Sequence, residues 1–225
     1  MNVRVILMEP QEEGNIGSIA RAMANFSCKE LYMINPCKIG GIAKAFATHG
    51  RDLLQKAVIV DSFDEAVKGC DVIVGTTGKR GCSSSKVRLS LSPEMMAEKA
   101  STGGRLGLVF GRERIGLTNE ELAKCDFTVR IRTSPKYPVM NLAQSVCLLL
   151  YEISKHGQDE KNVVSRAKTE RIQMMLHELV QSTDLTQRKK NSMELTIRRI
   201  LTRSFMREKE ASALLSFLNS LHRKL

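Results

Sequence analysis

Three blocks of this sequence gather residue types that chemistry needs. Pro10-Gln11-Glu12-Glu13-Gly14-Asn15-Ile16-Gly17-Ser18-Ile19-Ala20-Arg21-Ala22-Met23 sets carboxylates, an amide and an arginine among small residues, a composition that lets a helix N-terminus approach an anionic group. Leu108-Val109-Phe110-Gly111-Arg112-Glu113-Arg114-Ile115-Gly116-Leu117 places charges of both signs side by side. Ile131-Arg132-Thr133-Ser134-Pro135 and Tyr137-Pro138-Val139-Met140-Asn141-Leu142-Ala143 lead into an apolar run. Read singly, each block could be turn and cap chemistry; together and in this order they are far more specific. Other chemistries fall away. No G-x-G-x-x-G opens a helix after a strand, and Gly75-Thr76-Thr77-Gly78-Lys79-Arg80 is no P-loop, because its glycines are too close and no Ser or Thr follows Lys79. Cys28, Cys37, Cys70, Cys82, Cys125 and Cys147 form no C-x-x-C pair, and His49, His156, His177 and His222 are isolated. Neither a metal site, a disulfide framework nor a histidine-based triad is expected.

The elements that must position these blocks follow from hydrophobic periodicity. Val3 to Met8, Leu31 to Ile34, Ala57 to Val60, Asp71 to Val74, Leu106 to Phe110 and Phe127 to Ile131 are short apolar runs. Between them, helical spacing covers Gly14 to Phe26 and a stretch around Ala43 to Leu54. Ser62-Phe63-Asp64-Glu65 and Thr118-Asn119-Glu120-Glu121 are capping boxes, and Ser92-Pro93-Glu94 supplies an N-cap with proline at the first helical position. A last helix runs from about Asn141 to Lys155. Apolar strands alternating with helices predict an α/β domain whose parallel sheet is covered on both faces, with ligands bound at the carboxyl ends of the strands.

Composition sets the partner class. With 225 residues, 42% hydrophobic and 26% charged, the chain is long enough for one sizeable domain and a small one, and too apolar to be disordered. Its apolar runs are too short to span a bilayer and its first residues lack a signal-peptide layout, so a cytoplasmic location is expected. A net charge of +11 favours a polyanion. Three Tyr, seven Phe and no Trp argue against a base-stacking platform and for phosphate contacts through Arg and Lys. After Lys155 strands disappear. Residues 1–155 are read as the catalytic domain, 156–164 as a linker, and 165–225 as a basic all-α domain of three helices, with spacing set by Ile172, Met175, Leu176 and Leu179, then Leu195, Ile197, Ile200, Leu201 and Phe205, then Leu214, Leu215, Leu218 and Leu221. Residues 156–225 hold 14 basic against 8 acidic residues, a net +6, which makes the tail a candidate RNA-gripping piece. A helical dimerisation or capping domain is the plainer alternative.

The three blocks resemble the SpoU/TrmH group of the SPOUT superfamily, S-adenosylmethionine-dependent RNA 2′-O-ribose methyltransferases, and within it the TrmJ family of tRNA methyltransferases. Gly14 to Met23 is similar to that family's GNIG-x-x-ARAM, Phe110 to Leu122 to its FGRE-x-x-GLTNEEL, and Tyr137 to Ala143 with Tyr151-Glu152 to its Y-x-x-x-NLA and following helix. The likeness spans about residues 3–155 and, more loosely, Leu195 to Arg203. One departure stands out: many relatives carry Ser where this chain has Val139.

The resemblance implies a deep C-terminal trefoil knot over roughly residues 75–155, against the general rarity of knots, and a homodimer through that region, where the last helix, with Leu142, Val146, Leu149, Leu150 and Ile153, reads as too hydrophobic for a free surface. It implies S-adenosylmethionine as cofactor, held by Thr76, Thr77, Gly78, Phe110, Gly111, Ile131, Pro138, Val139, Met140, Asn141 and Leu142, with Val139 giving only backbone and apolar contact. Arg21 is the first catalytic candidate, fixing the adjacent phosphate and stabilising the developing alkoxide, with a general-base role as the alternative. Asn15 would orient the ribose. Glu113 would fix Arg21 or a neighbouring arginine, across the dimer interface. Lys79, Arg80, Arg112, Arg114, Arg198, Arg199 and Arg203 are the RNA-contact candidates. The expected reaction is 2′-O-methylation of a pyrimidine at anticodon-loop position 32 of tRNA. An rRNA 2′-O-methyltransferase and a catalytically silent RNA-binding protein of the same fold are the alternatives.

Overall fold

The computed structural model describes residues 2–78, 90–101, 104–155, 164–203 and 206–222. The chain divides into two compact units, Met1–Ser101 with Arg105–Asp159, and a second that holds Glu160–Leu225.

The first unit is built on seven strands: β1 (Val3–Met8), β2 (Glu30–Ile34), β3 (Val58–Val60), β4 (Val72–Thr76), β5 (Ser90–Leu91), β6 (Leu106–Phe110) and β7 (Phe127–Val129), in the order β3-β2-β1-β6-β4-β7-β5. Every pairing is parallel; in the centre Val5 lies opposite Leu31 on one side and Leu108 on the other. Side-chain alternation along β1 divides the core in two. Val3, Val5 and Leu7 join the cluster made with Ile16, Ile19 and Met23 of α1 (Glu13–Asn25), Met96 and Ala97 of α5 (Pro93–Ser101), and Val146, Leu149, Leu150 and Ile153 of α7 (Leu142–Ser154). Ile6 and Met8 point the other way, to Phe63 and Ala66 of α4 (Phe63–Val67) and Leu122 of α6 (Asn119–Ala123). The period of two along a strand therefore gives the helix-covered, two-faced sheet that the apolar runs predict.

Three local expectations change. The helix around Ala43 to Leu54 is broken into α2 (Gly41–Ala47), a 3₁₀ turn at Thr48–Gly50, and α3 (Arg51–Gln55). Ala43, Ala47 and Gly50 are buried, and Thr48 takes a positive φ of 46°, a bend that plain periodicity does not announce. The strand at Leu106 is the sixth and not the fifth, because the two-residue edge strand β5 is too short to show alternation. At Ser62 only half of the capping box forms: the hydroxyl accepts from Glu65 N–H, while the Glu65 carboxylate accepts from Asp61 N–H. At Thr118 the box is complete.

The second unit comprises α8 (Arg166–Gln181), α9 (Gln187–Arg203) and α10 (Glu208–His222). Its own small core joins Ile172 and Met175 to Ala211, Leu215 and Leu218, with Leu176, Leu179, Leu201 and Leu214 packed against it. Ile200 is half exposed, and Phe205 lies outside the described residues. No described helix is long and apolar enough to cross a membrane.

Candidate functional site

The three blocks meet at the carboxyl end of the central strands, and the residues that join them are polar. Gln11 and Glu12 turn the chain from β1 into α1, and their backbone N–H groups donate to the Glu113 carboxylate at 3.0 and 3.3 Å. A helix N-terminus does meet an anion here, but the anion is the chain's own side chain. The Asn15 amide nitrogen donates to Glu113 Oε1 and to Glu12 Oε2, both at 3.2 Å. Its amide oxygen accepts from Asn141 Nδ2 at 3.0 Å. Asn141 Oδ1 in turn caps α7, accepting from the N–H groups of Ala143 and Gln144 at 2.9 and 3.3 Å.

Polarity leaves this chain of bonds one direction. Two carboxylates accept from the nitrogen side of Asn15, so its oxygen must face Asn141, whose oxygen must then face the helix. Asn15 is 8% exposed, and both of its amide N–H groups and one lone pair of its oxygen are engaged in this relay. The arrangement makes Asn15 a joint between α1 and the loop entering α7. Glu12, which the sequence reading passed over, is part of the same joint; a carboxylate next to a Gly-Asn pair was its only signal. Asn15→Ala should leave the Asn141 amide and the Glu113 carboxylate short of a partner, a loss of about 1–3 kcal/mol. Expected is a rise of about tenfold or more in the cofactor dissociation constant, checked by calorimetry with S-adenosylhomocysteine. Unchanged affinity would show that the loop holds its shape without the joint.

Arg21 lies two turns along α1 on its exposed face. It lines an open groove of about 600 Å³ together with Glu12, Asn15, Phe46, Asn141, Gln144 and Cys147. Among the described residues Arg21 has no hydrogen-bond or ion-pair partner, and Glu113 is bound to Asn15 and main chain rather than to an arginine. Gly17 has a packing reason: a β-carbon there would stand 2.3 Å from the Ala43 carbonyl of α2.

The remaining loop residues gather beside the strand ends of β4 and β7. Thr77 N–H donates to the Val129 carbonyl at 3.0 Å, Arg130 Nε to the Gly78 carbonyl at 3.3 Å, and Thr133 Oγ1 to the Pro138 carbonyl at 2.9 Å. Tyr137 and Val139 are 78% and 59% exposed, Ile131 and Met140 are half-buried, and Leu142 is buried at the start of α7. Phe110 is 1% exposed within the core, so only its backbone faces the loops. Gly111 must be glycine: the chain doubles back through paired Arg112–Gly116 backbone bonds, and a β-carbon would lie 2.0 Å from Gly116. Of the cofactor candidates only Asn141 also lines the groove.

The RNA-contact candidates separate. Arg112, 12% exposed at its side chain, is tied to Glu9 at 2.8 Å and to Glu121 at 3.0 Å, so its guanidinium is spent on holding the β6 loop to the β1 loop and to α6. The hydrogen bond from Arg112 holds the Glu9 carboxyl below its ordinary value of 4.5, and the same bond raises Arg112 above its usual range. Glu9 thus contributes stability that is full above pH 4.5 and lost as pH falls through its lowered value. Arg112→Ala should lower stability by about 1–3 kcal/mol, and that deficit should shrink as the pH is taken well below 4.5. Thermal unfolding of the two proteins between pH 7 and pH 3 reads this; a deficit independent of pH would remove Glu9 from the account. Arg114 and Arg198 are exposed. Arg199 and Arg203 lie in α9 with side chains outside the described residues, as do Lys79 and Arg80 altogether.

Residues 2–151 match the SpoU rRNA Methylase family model. The chain is 36% identical over 223 residues to the tRNA (cytidine-2′-O-)-methyltransferase TrmJ of Methanocaldococcus jannaschii, covering 95% of this chain and 97% of that one. It is 39% identical over 162 residues to the tRNA (cytidine/uridine-2′-O-)-methyltransferase TrmJ of Pectobacterium atrosepticum, covering 68% of this chain and 64% of that one. A solved structure of a probable methylase family protein from Haemophilus influenzae superimposes with a TM-score of 0.73 at 31% identity, over 99% of this chain and 97% of that one.

Proposed function

Since the chain belongs to the SpoU rRNA methylase family and to its TrmJ-like tRNA methyltransferases, we propose that it carries a methyl group from S-adenosylmethionine to the ribose 2′-hydroxyl of a pyrimidine at anticodon-loop position 32 of tRNA. The observation that carries this reading is the bond sequence Glu113–Asn15–Asn141, which ties all three chemistry-bearing blocks together beside a groove lined by Arg21.

The residues present fit the cofactor. The loops after β4 and β7 bring main-chain groups of Thr77, Gly78 and Pro138 together with exposed Tyr137 and Val139 and half-buried Ile131 and Met140. Main-chain groups can read an adenine edge, and the apolar side chains can flank its faces. S-adenosylmethionine supplies an activated methyl group on a sulfonium that leaves as a neutral thioether. The protein's tasks are to hold the hydroxyl in line and to stabilise the alkoxide as its proton passes to water. Arg21 is assigned the second task and the neighbouring phosphate, as a fixed cation rather than a base, because a guanidinium does not give up its proton near neutral pH. Asn141 shapes the cofactor loop, and Asn15, Glu12 and Glu113 keep that loop registered to the helix that bears Arg21. The basic α8–α10 unit serves as a second hold on tRNA.

The knot over residues 75–155 belongs to the same proposal; the interleaving of β4 between β6 and β7, and of β7 between β4 and β5, supports it. So does the homodimer, though on other grounds than the sequence offered. Leu142, Val146, Leu149, Leu150 and Ile153 of α7 are buried within their own chain and call for no partner. The exposed surface of α1, α2 and α7 is what favours a second copy: Ile42, Phe46 and Tyr151 are each more than half exposed along it, and Cys147 lines the groove. Sedimentation at micromolar concentration should give about twice 25.1 kDa; an active monomer would end this part of the reading.

The test of function is mass spectrometry of nucleosides after purified protein is incubated with labelled cofactor and either bulk tRNA or rRNA. A labelled 2′-O-methylpyrimidine from tRNA alone is expected. Label only in rRNA, or in neither, would overturn the proposal.

A further inference from the structure

We propose that the outer face of α2 and α3, through Lys38, Lys44 and Arg51, is a phosphate-binding surface on which the first unit holds the tRNA backbone next to Arg21. The inference rests on the reading of the protein as a tRNA methyltransferase and adds a contact surface to it.

Charge concentrates on this face. Residues 1–155 carry 21 basic and 16 acidic residues, a net +5, and the nineteen residues from Lys38 to Lys56 hold four basic residues against the single Asp52. That short stretch supplies +3 of the +5. Lys38, Lys44, Arg51 and Lys56 are all exposed. The nearby carboxylate of Glu13 does not offset them from the surface, because it accepts from the backbone N–H groups of Gly40 at 2.9 Å and Ala43 at 3.3 Å.

Position and rigidity follow from the same contacts. Glu13 sits one residue into α1, so its bonds to Gly40 and Ala43 fix the start of α2 at the site end of the sheet. Cys37 N–H donates to the Pro10 carbonyl at 2.9 Å, which brings Lys38 beside the loop that ends in Glu12. At the far end of α2, a β-carbon on Gly50 would stand 2.5 Å from the Ala20 carbonyl and 2.8 Å from the Arg21 nitrogen, so the backbone leading into Arg51 lies directly against that of Arg21. Arg51 Nε donates to the Lys44 carbonyl at 3.0 Å, holding its guanidinium over the end of α2. The backbones of Gly50 and Arg21 thereby touch, Arg51 is tied to Lys44, and Lys38 stands beside the loop that enters α1. Exposed Lys38 and Lys44 beside an Arg51 held over the end of α2, with Glu13 turned to backbone N–H groups and Asp52 the one exposed acid of the stretch, are complementary to a phosphate backbone.

The test compares the full-length parent with Lys38→Ala/Lys44→Ala/Arg51→Ala and with Lys38→Glu/Lys44→Glu, which keeps the Arg51 hydrogen bond. Binding of a tRNA transcript is measured across a salt titration, with methylation kinetics, cofactor calorimetry and sedimentation alongside. Three lost contacts at about 0.7–0.9 each should flatten the log–log salt slope by about 2 to 2.7. KM for tRNA should rise, with cofactor affinity and sedimenting mass as in the parent. Unchanged slope and KM, in a parent that methylates tRNA, would overturn this surface and leave the proposed function standing. A changed sedimenting mass would make the face a contact between copies and overturn it as well. A parent inactive on tRNA would take down the proposed function, and this surface with it.

Discussion

Arg21→Ala is expected to lower kcat/KM for tRNA methylation by about 10² to 10³ or more, while affinity for S-adenosylhomocysteine stays within about twofold. The size follows from removing one fixed charge aimed at a developing oxyanion, about 2.7–4 kcal/mol. The selectivity follows from the geometry. Arg21 is exposed on α1, has no hydrogen-bond or ion-pair partner among the described residues, and lines the groove rather than the loops after β4 and β7. An exposed residue of this kind contributes within about 0.5 kcal/mol to folding, so the variant should unfold at nearly the parent temperature. Arg21→Lys should recover only part of the rate, since an ammonium keeps the charge and loses the planar fork that suits phosphate. A large fall in cofactor affinity, or a full recovery by Lys, would remove Arg21 from the assigned role.

Ending the chain at residue 157 should weaken tRNA binding strongly and flatten its salt dependence, while leaving a folded protein that still binds cofactor. Both sheet clusters are complete by Ile153, and the small core of the second unit begins at Val164, so the deletion removes no member of either sheet cluster. The removed stretch carries 14 basic against 8 acidic residues. If Arg198, Arg199 and Arg203 each neutralise one phosphate, the slope falls by about 2 to 2.7. Circular dichroism and calorimetry establish the folded, cofactor-competent state; a salt titration of tRNA binding reads the loss. Should the shortened protein methylate tRNA with unchanged KM, the three basic helices are an appendage and the first unit reads the substrate alone.

The two experiments ask about residues of different legibility. Arg21 stood out before any fold was known, because its block resembles the family's GNIG-x-x-ARAM. The six strands longer than two residues, most of the helices and the basic tail were equally plain, since caps and hydrophobic periodicity are properties of residues within a few positions of one another. What the sequence alone determined was therefore local: most of the strands and helices, which blocks face the strand ends, and where the charge lies.

Tertiary structure decided who pairs with whom. Glu113 meets Asn15 across 98 positions, Asn141 meets Asn15 across 126, and Arg112 meets Glu9 across 103. No spacing rule reaches that far, because parallel strands bring their carboxyl ends together through crossovers whose lengths say nothing about which side chains will face each other. So the fold places Asn15 as a joint between the blocks, ties Arg112 to Glu9 and Glu121, and packs the apolar face of α7 into its own chain's core. Each placement has one physical cause. A polar group that packing half buries must find its partner within the fold, and an apolar face takes the nearest surface that removes it from water.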